Sequence, residues 1–238
     1  MTITKTQNSY LYGLSKGLPI ALGYLSVSFG FGISALGKGI NPIGAILISL
    51  TNLTSAGQVA GISIIYACGT IIEMILAQLV INMRYCLMGL ALTQKLDGGF
   101  TTPHRMLTSF AITDEVFAVA AAERGLIGIR FMYGLITLPP IGWTLGTALG
   151  VFAGQLLPVS ICSALELAIY SMFTAIIVPP AKGDKGVFLA VLIAAALSCA
   201  LYYTPFLAQI STGFKIIICA VAASGIMAYV APKNVEED

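Results

Sequence analysis

Long apolar runs, separated by short breaks rich in glycine, proline or charge, fill almost the entire chain. Eight runs can be delimited: 17–36, 42–66, 67–92, 105–123, 128–153, 159–179, 187–204 and 208–231. A helix needs about 20 apolar residues to cross a bilayer, so most of these runs are long enough for one crossing. The pattern predicts an all-α polytopic membrane protein with about seven or eight transmembrane helices, some of them broken or kinked.

The polar ends of the chain predict three segments. Residues 1–16 form a cytoplasmic N-terminal segment, 17–231 a single transmembrane transporter domain, and 232–238 a polar C-terminal tail. The first run is long and lacks an Ala-x-Ala cleavage site, so it is interpreted as a membrane span and not as a removed signal peptide.

Composition narrows the class of protein. Hydrophobic residues make up 58% of the chain and charged residues only 9%, against about 25% charged in a soluble domain. The net charge of +2 is too small to predict nucleic-acid binding. The chain has a single histidine and five scattered cysteines, and it lacks a Walker loop or a protease motif. The sequence therefore predicts no metal, no cofactor and no enzymatic activity.

Two runs contain residues that interrupt a helix. Small and polar residues fill 52–58, and Pro139 and Pro140 lie within the fifth run. Irregular backbone at membrane depth is tolerated where it is buried in protein or lines a wet cavity, and broken helices form substrate sites in many secondary transporters. Proline kinks and packing of small residues are the alternative. The stretch 42–92 has no charged break, so it could contain half-helices in place of two full crossings.

Topology and internal symmetry are weaker signals. If all eight runs cross, the side of the termini carries seven positive residues: Lys5, Lys16, Arg124, Arg130, Lys182, Lys185 and Lys233. The other side carries Lys38, Lys95 and Arg105, so the positive-inside rule predicts that both termini are cytoplasmic in the cell membrane. Segments 18–24 and 138–143 also resemble each other, which indicates either an internal repeat or chance recurrence of small residues.

Ionisable side chains inside the runs are the main functional candidates, because each costs roughly 2.5–3.5 kcal/mol to insert. Glu73 is predicted to be a proton site or a structural carboxyl bonded to a neighbouring helix. Arg84, two residues after Asn82, suits a carboxylate because its fork binds two oxygens, although snorkelling to the interface would also explain it.

Two adjacent acids, Asp114 and Glu115, follow Thr113 in the fourth run. They could neutralise Arg84, bind a substrate ammonium group or carry a proton. Alternatively, Thr113 or Asp114 caps a helix in a wet crevice. Glu166 is a further candidate for a buried acid.

The order of five motifs resembles the AzlC family, the large subunits of two-component branched-chain amino acid exporters. The motifs are Leu18-Pro19-Ile20 with Phe29-Gly30-Phe31-Gly32, Ser55-Ala56-Gly57-Gln58, Asn82-Met83-Arg84-Tyr85, Thr113-Asp114-Glu115-Val116-Phe117-Ala118, and Ile141-Gly142-Trp143 with Gly146 and Gly150. They cover residues 15–150, and the remainder resembles the family mainly in hydropathy.

The resemblance implies a secondary transporter that exports leucine, isoleucine or valine, with methionine as a further candidate, coupled to protons. It also implies a partner, a small membrane subunit of the AzlD type. Together with the residues above, it leads us to expect substrate binding by Ser55, Gly57, Gln58, Asn82, Arg84, Asp114 and Glu115, and proton coupling by Glu73, Asp114 and Glu115.

Two positions depart from the family's pattern. Gly57 stands where many relatives are expected to have serine, which could alter substrate choice. Tyr85 stands where histidine is common, which removes a group that titrates near neutrality and argues against a histidine-based proton relay. A channel-like pore, or a structural membrane subunit that transports nothing, remains the alternative function.

Overall fold

The computed structural model describes residues 8–230. The predicted tail 232–238 and most of the N-terminal segment, with Lys5 and Lys233, lie outside the described residues. The described residues form ten α-helices and no β-strand: α1 Tyr10–Gly37, α2 Pro42–Thr51, α3 Ser55–Tyr66, α4 Ile71–Thr93, α5 Thr102–Ser109, α6 Asp114–Ala122, α7 Ile129–Ala153, α8 Val159–Gly183, α9 Lys185–Tyr203 and α10 Thr212–Val230.

The all-α polytopic prediction is confirmed. Within residues 8–230, five helices are long and apolar enough to cross a bilayer: α1, α4, α7, α9 and α10. Two of the predicted runs, 42–66 and 105–123, are each divided into two short helices, α2 with α3 and α5 with α6. The half-helices considered for the stretch after residue 42 are therefore present, and a second pair occurs where the sequence indicated a continuous run.

The chain divides into two compact units. The first comprises the residues up to Val59 together with Asn82–Ile169, and the second comprises Ala60–Ile81 together with the residues from Tyr170 onward. Helices α3, α4 and α8 pass from one unit to the other. The expectation that 17–231 acts as one transmembrane domain stays a prediction.

Helices α1 and α7 lie side by side and parallel, and they form the centre of the first unit. Gly17 faces the backbone of Leu135, and further along both helices Gly142 faces the backbone of Ala21. Glycine is required at such points because a Cβ would collide with the neighbouring backbone. The two segments whose sequences resemble each other are therefore neighbours within this pair, and both prolines of α7 lie inside a continuous helix.

The α5–α6 pair is a hairpin that enters from the end of the first unit at which α1 and α7 begin, which we call the proximal end. At the end of α6, Glu123 accepts a hydrogen bond from Tyr12, near the start of α1. At the beginning of α6, Glu115 instead meets Tyr24, halfway along α1. Helix α6 therefore runs antiparallel to α1. Helix α5 starts near the same end, where His104 contacts Tyr133 of α7.

Helix α4 runs parallel to α6, since its middle contacts the start of α6 and its last turn contacts the end of α6. Because α6 is antiparallel to α1, α4 is antiparallel to α1 as well. Arg84 pairs with Asp114 at the start of α6, and the Lys95 ammonium donates to the carbonyl oxygens of Ala121 and Glu123 at the end of α6. Lys95 thus neutralises the negative end of a helix dipole. Helix α4 accordingly finishes at the proximal end.

The α2–α3 pair is a second hairpin, which enters from the opposite, distal end. Helix α2 starts four residues after α1 finishes, and Ser49 of α2 contacts Thr147 in the later part of α7. Helix α3 then lies antiparallel to α4, with Gly61 facing Met74 and Gln78. The two broken runs therefore turn back where hydropathy alone suggested that they cross.

This chain direction redistributes the charges of the first unit. Lys95 and Arg105, which the all-crossing topology put opposite the termini, lie at or near the proximal end. That end carries Lys16, Lys95, Arg105, Arg124 and Arg130, and the distal end carries Lys38. The asymmetry of positive charge is therefore sharper than the sequence suggested.

Candidate functional site

The tips of the two hairpins meet in the first unit and line a cavity of about 230 Å³. Its walls come from the end of α2 and the α2–α3 break, from the middle of α4, and from the α5–α6 break: Thr51, Asn52, Leu53, Thr54, Asn82, Tyr85, Ser109, Phe110 and Ile112. Sites for drug-sized ligands occupy about 300–1,000 Å³, so this cavity suits a smaller solute.

Each tip is the N-terminus of a half-helix, capped by a threonine. Thr54 Oγ1 accepts the Gly57 N–H at 3.3 Å, and Thr113 Oγ1 accepts the Val116 N–H at 3.4 Å. A Ser, Thr, Asp or Asn side chain is favoured at this position because the first N–H groups of a helix have no partner within it. The alternative interpretation of Thr113 as a helix cap is therefore confirmed.

Arg84 links the two tips. Its Nη1 lies 2.6 Å from a carboxylate oxygen of Asp114, and its Nη2 donates to the Tyr85 hydroxyl at 3.1 Å. Tyr85 lines the cavity together with Thr54 of the first tip, so polar side chains extend from one tip to the other. Arg84 Nε is buried and has no hydrogen-bond partner among the described residues. Both charged side chains remain partly accessible.

Glu115 has a different partner, Tyr24 of α1. The Tyr24 hydroxyl donates to the Glu115 carboxylate and lies 2.6 Å from Thr113 Oγ1. Tyr24 is only 6% exposed and packs edge-on against Trp143, with ring centroids 5.2 Å apart. The second tip is therefore held against α1 by a buried, charge-assisted hydrogen bond.

Gln58 does not line the cavity. It is 2% exposed, and its carboxamide oxygen accepts from the Trp143 indole at 3.1 Å while its amide donates to the Asn52 carbonyl. Ser49 Oγ also approaches that oxygen, at 3.4 Å, and lies 2.7 Å from Thr147 Oγ1. This satisfied polar network holds the first tip against α7, so Gln58 acts on the cavity through the backbone that it supports.

The remaining predicted residues fall into two groups. Asn82 lines the cavity beside Tyr85, and Ser55 and Gly57 form the first turn of α3 directly behind the Thr54 cap. Glu73 lies in the second unit, where its buried carboxylate accepts the Gly213 N–H at the start of α10 at 2.6 Å. Helix α4 is continuous between Glu73 and Arg84, so these two charges cannot pair. The Glu166 side chain lies outside the described residues.

Sequence reasoning missed Tyr24, Ser49 and Thr147. Each is polar, buried and contained in an apolar helix, and their partners are more than 80 residues away in the chain. The only signal in the sequence was the presence of a polar side chain within a hydrophobic run, where it needs a hydrogen-bond partner from another helix. No cluster of three or more potential metal ligands occurs in the part of the chain that the structure describes.

The chain is all-α and has two opposed half-helix tips around a small polar cavity. These features place it in the class of polytopic membrane proteins with a transporter-type helix arrangement. Comparison with known families agrees, because the family model described as AzlC protein matches residues 19–157. The chain belongs to the AzlC family, a transporter-type family of membrane proteins.

Individual relatives support this assignment. The chain is 34% identical over 175 residues to an uncharacterized membrane protein of Archaeoglobus fulgidus, covering 72% of this chain and 75% of that protein. It is 27% identical over 157 residues to inner membrane protein YgaZ of Escherichia coli K12, covering 62% of each. An uncharacterized membrane protein of Helicobacter pylori J99 is 27% identical over 58% of this chain and 61% of its own length. No solved structure matches.

Proposed function

We propose that this protein is the large subunit of a two-component secondary transporter that exports branched-chain amino acids, namely leucine, isoleucine and valine, with methionine as a further candidate. The observation that carries this proposal is the internal ion pair of Arg84 and Asp114 beside the cavity between two half-helix tips. Membership of the AzlC family supports the same function.

An internal ion pair is suited to a zwitterion. A substrate with one carboxylate and one ammonium group can separate Arg84 from Asp114 and give each a new partner of opposite charge. Each charge then keeps a partner of opposite sign at a site that is only partly exposed to solvent. A solute with a single charge would leave one member of the pair unmatched, so the pair selects for amino acids.

Arg84 is the proposed carboxylate ligand. Its Nε has no partner in the described residues, so a donor is free in addition to the one that Asp114 would release. Two adjacent guanidinium donors match the two oxygens of a carboxylate. The first turn of α3 at Ser55 and Gly57 contributes the positive end of a helix dipole from the other side. Asp114 is the proposed ammonium ligand.

The apolar side chain of the substrate has three partners in the cavity wall. They are Leu53 in the α2–α3 break, and Phe110 and Ile112 in the α5–α6 break. We propose that Asn82 orients the substrate by hydrogen bonding and that Gln58 positions the first tip. This apolar part of the wall supports leucine, isoleucine and valine as the substrates.

Proton coupling is assigned to the carboxylates. Asp114 exchanges its partner when substrate enters, and Glu115 holds the second tip through Tyr24, so protonation of either would change the cavity. Glu73 is a further candidate, although its contact with the start of α10 suits a structural cap equally well.

The membrane orientation and the partner complete the proposal. The excess of lysine and arginine at the proximal end of the first unit supports a cytoplasmic location for that end, where α1 begins, in the plasma membrane. A cytoplasmic C-terminus is proposed from the sequence alone. A small AzlD-type membrane subunit is the proposed partner, on the strength of the family alone.

The test is efflux of radiolabelled leucine from preloaded, energised cells that express this chain with and without a candidate AzlD-type subunit. Saturable efflux that needs both chains and collapses with a protonophore supports the proposal. Arg84→Ala should abolish efflux without affecting insertion, whereas Arg130→Ala, an exposed arginine outside the cavity, should not. Normal efflux by Arg84→Ala contradicts the carboxylate ligand, and non-saturable, uncoupled flux would indicate a channel-like pore.

A further inference from the structure

The first six helices form two repeats of opposite direction. Each repeat has one long helix followed by two half-helices: α1, α2 and α3 in the first, and α4, α5 and α6 in the second. In each, a proline lies in the first turn of the middle helix, and a threonine caps the third, Thr54 in one and Thr113 in the other. The long helices are antiparallel and the hairpins enter from opposite ends. This is an inverted repeat, as found in many transporters.

A pair of tyrosines crosses between the repeats. Tyr24, in the long helix of the first repeat, contacts the capping threonine of the second, Thr113. Tyr85, in the long helix of the second repeat, lines the cavity together with the capping threonine of the first, Thr54. The two positions correspond under the symmetry of the repeat. Tyr24 lies at the start of α6, which runs toward the proximal end, and Tyr85 lies near the start of α3, which runs away from it.

The two positions are not equal. Tyr24 is almost fully buried and also donates to Glu115, whereas the corresponding residue of the first tip is Ala56, which offers no acceptor. Tyr85 is less buried and forms part of the cavity wall. The contact of Tyr24 is therefore tightly closed in this structure, and the position of Tyr85 is the more open of the two.

We propose that Tyr24 and Tyr85 are the two gates of the cavity, one for each side of the membrane. This inference deepens the proposed function and rests on it for the identity of the solute. Separating a tyrosine from the threonine of the opposite repeat opens a path between one tip and one long helix, and therefore toward one side only. The same cavity becomes accessible from either side in turn because the two gates are built from equivalent parts.

The experiment measures access to the cavity without measuring transport. Ser109→Cys puts a single reporter thiol on the cavity wall, in a background where all five native cysteines are replaced by alanine. Its rate of reaction with a membrane-impermeant maleimide is compared in right-side-out and inside-out vesicles. Tyr24→Phe and Tyr85→Phe are introduced separately, since each removes one hydroxyl and preserves the ring.

Tyr24→Phe should speed labelling from one side of the membrane, and Tyr85→Phe should speed it from the opposite side. Tyr24→Phe removes the bond to Glu115 and Tyr85→Phe removes the bond from Arg84, both charge-assisted, so each is expected to raise the rate about tenfold. Glu115→Gln, which keeps the shape of the acceptor but not its charge, should act from the same side as Tyr24→Phe. Tyr10→Phe, which removes another tyrosine–threonine hydrogen bond, with Thr137 and away from the tips, is the matched control and should change neither rate.

Faster labelling from the same side in both gate variants, or unchanged rates in both while the protein stays monodisperse, overturns the proposal. Should Tyr24→Phe fail to fold, Glu115→Gln decides the behaviour of that gate. Opposite-sided labelling in a protein that exports no branched-chain amino acid would refute the proposed substrate but leave the gates in place. Efflux without opposite-sided labelling would refute the gates alone.

Discussion

Substitution of Gly17 tests whether α1 and α7 are in direct backbone contact. A Cβ on Gly17 would lie 2.5 Å from the carbonyl oxygen of Leu135 and 3.2 Å from its carbonyl carbon, both shorter than an ordinary van der Waals contact. Both atoms belong to the backbone of α7, so the strain cannot be relieved by a change of rotamer. The helices would have to move apart along the centre of the first unit.

The magnitude follows from two opposing terms. Overpacking of this kind costs about 1–3 kcal/mol, while replacing glycine by alanine within a helix gains about 1 kcal/mol. Gly23 lies on the exposed side of the same helix, and a Cβ there would have no neighbour within 4 Å. Gly23→Ala therefore gains helix propensity without overpacking. The difference in stability between the two variants measures the close contact of Gly17 with Leu135.

The assay is thermal denaturation of the purified protein in one detergent, followed by size-exclusion chromatography. At about 2–4 °C per kcal/mol for a chain of this size, Gly17→Ala should denature about 2–12 °C below Gly23→Ala. Equal or greater stability of Gly17→Ala would refute the close approach of the two helices at this point.

Three further predictions concern polar contacts. Glu73→Ala removes the acceptor of the Gly213 N–H and should destabilise the protein by about 1–3 kcal/mol, as measured by thermal denaturation. Glu73→Gln keeps an acceptor oxygen and should lose less stability. Equal losses of stability in the two variants would contradict a capping role. Gln58→Leu removes the partner of the indole of Trp143, the single tryptophan, so its fluorescence should shift to shorter wavelength, and an unchanged maximum would argue against that bond. Lys95→Met should speed amide hydrogen exchange at the end of α6 about fivefold, and no change would show that the ammonium does not stabilise it.

Local features of the sequence were sufficient for the helical content and for several boundaries. Runs of about 20 apolar residues predicted the long helices because a bilayer requires that length. Small and polar residues at 52–58 predicted the first break, and the Thr113 cap followed from the competition of its hydroxyl for an unpaired N–H a few residues away. These properties depend on residues close together in the chain, so no distant contact is needed to find them.

Only the tertiary structure decided the direction of the two broken runs and the pairing of their tips. A run that crosses a bilayer and one that turns back halfway have the same hydropathy. The break at 52–58 therefore left the direction of 42–66 open, and 105–123 gave no sign of its hairpin. Two bonds at the tips join residues 30 or more positions apart, that of Arg84 to Asp114 and that of Tyr24 to Glu115. Such bonds depend on which helices pack together, and that is determined by the glycine faces of α1 and α7 and by the chain direction that they impose on everything between them.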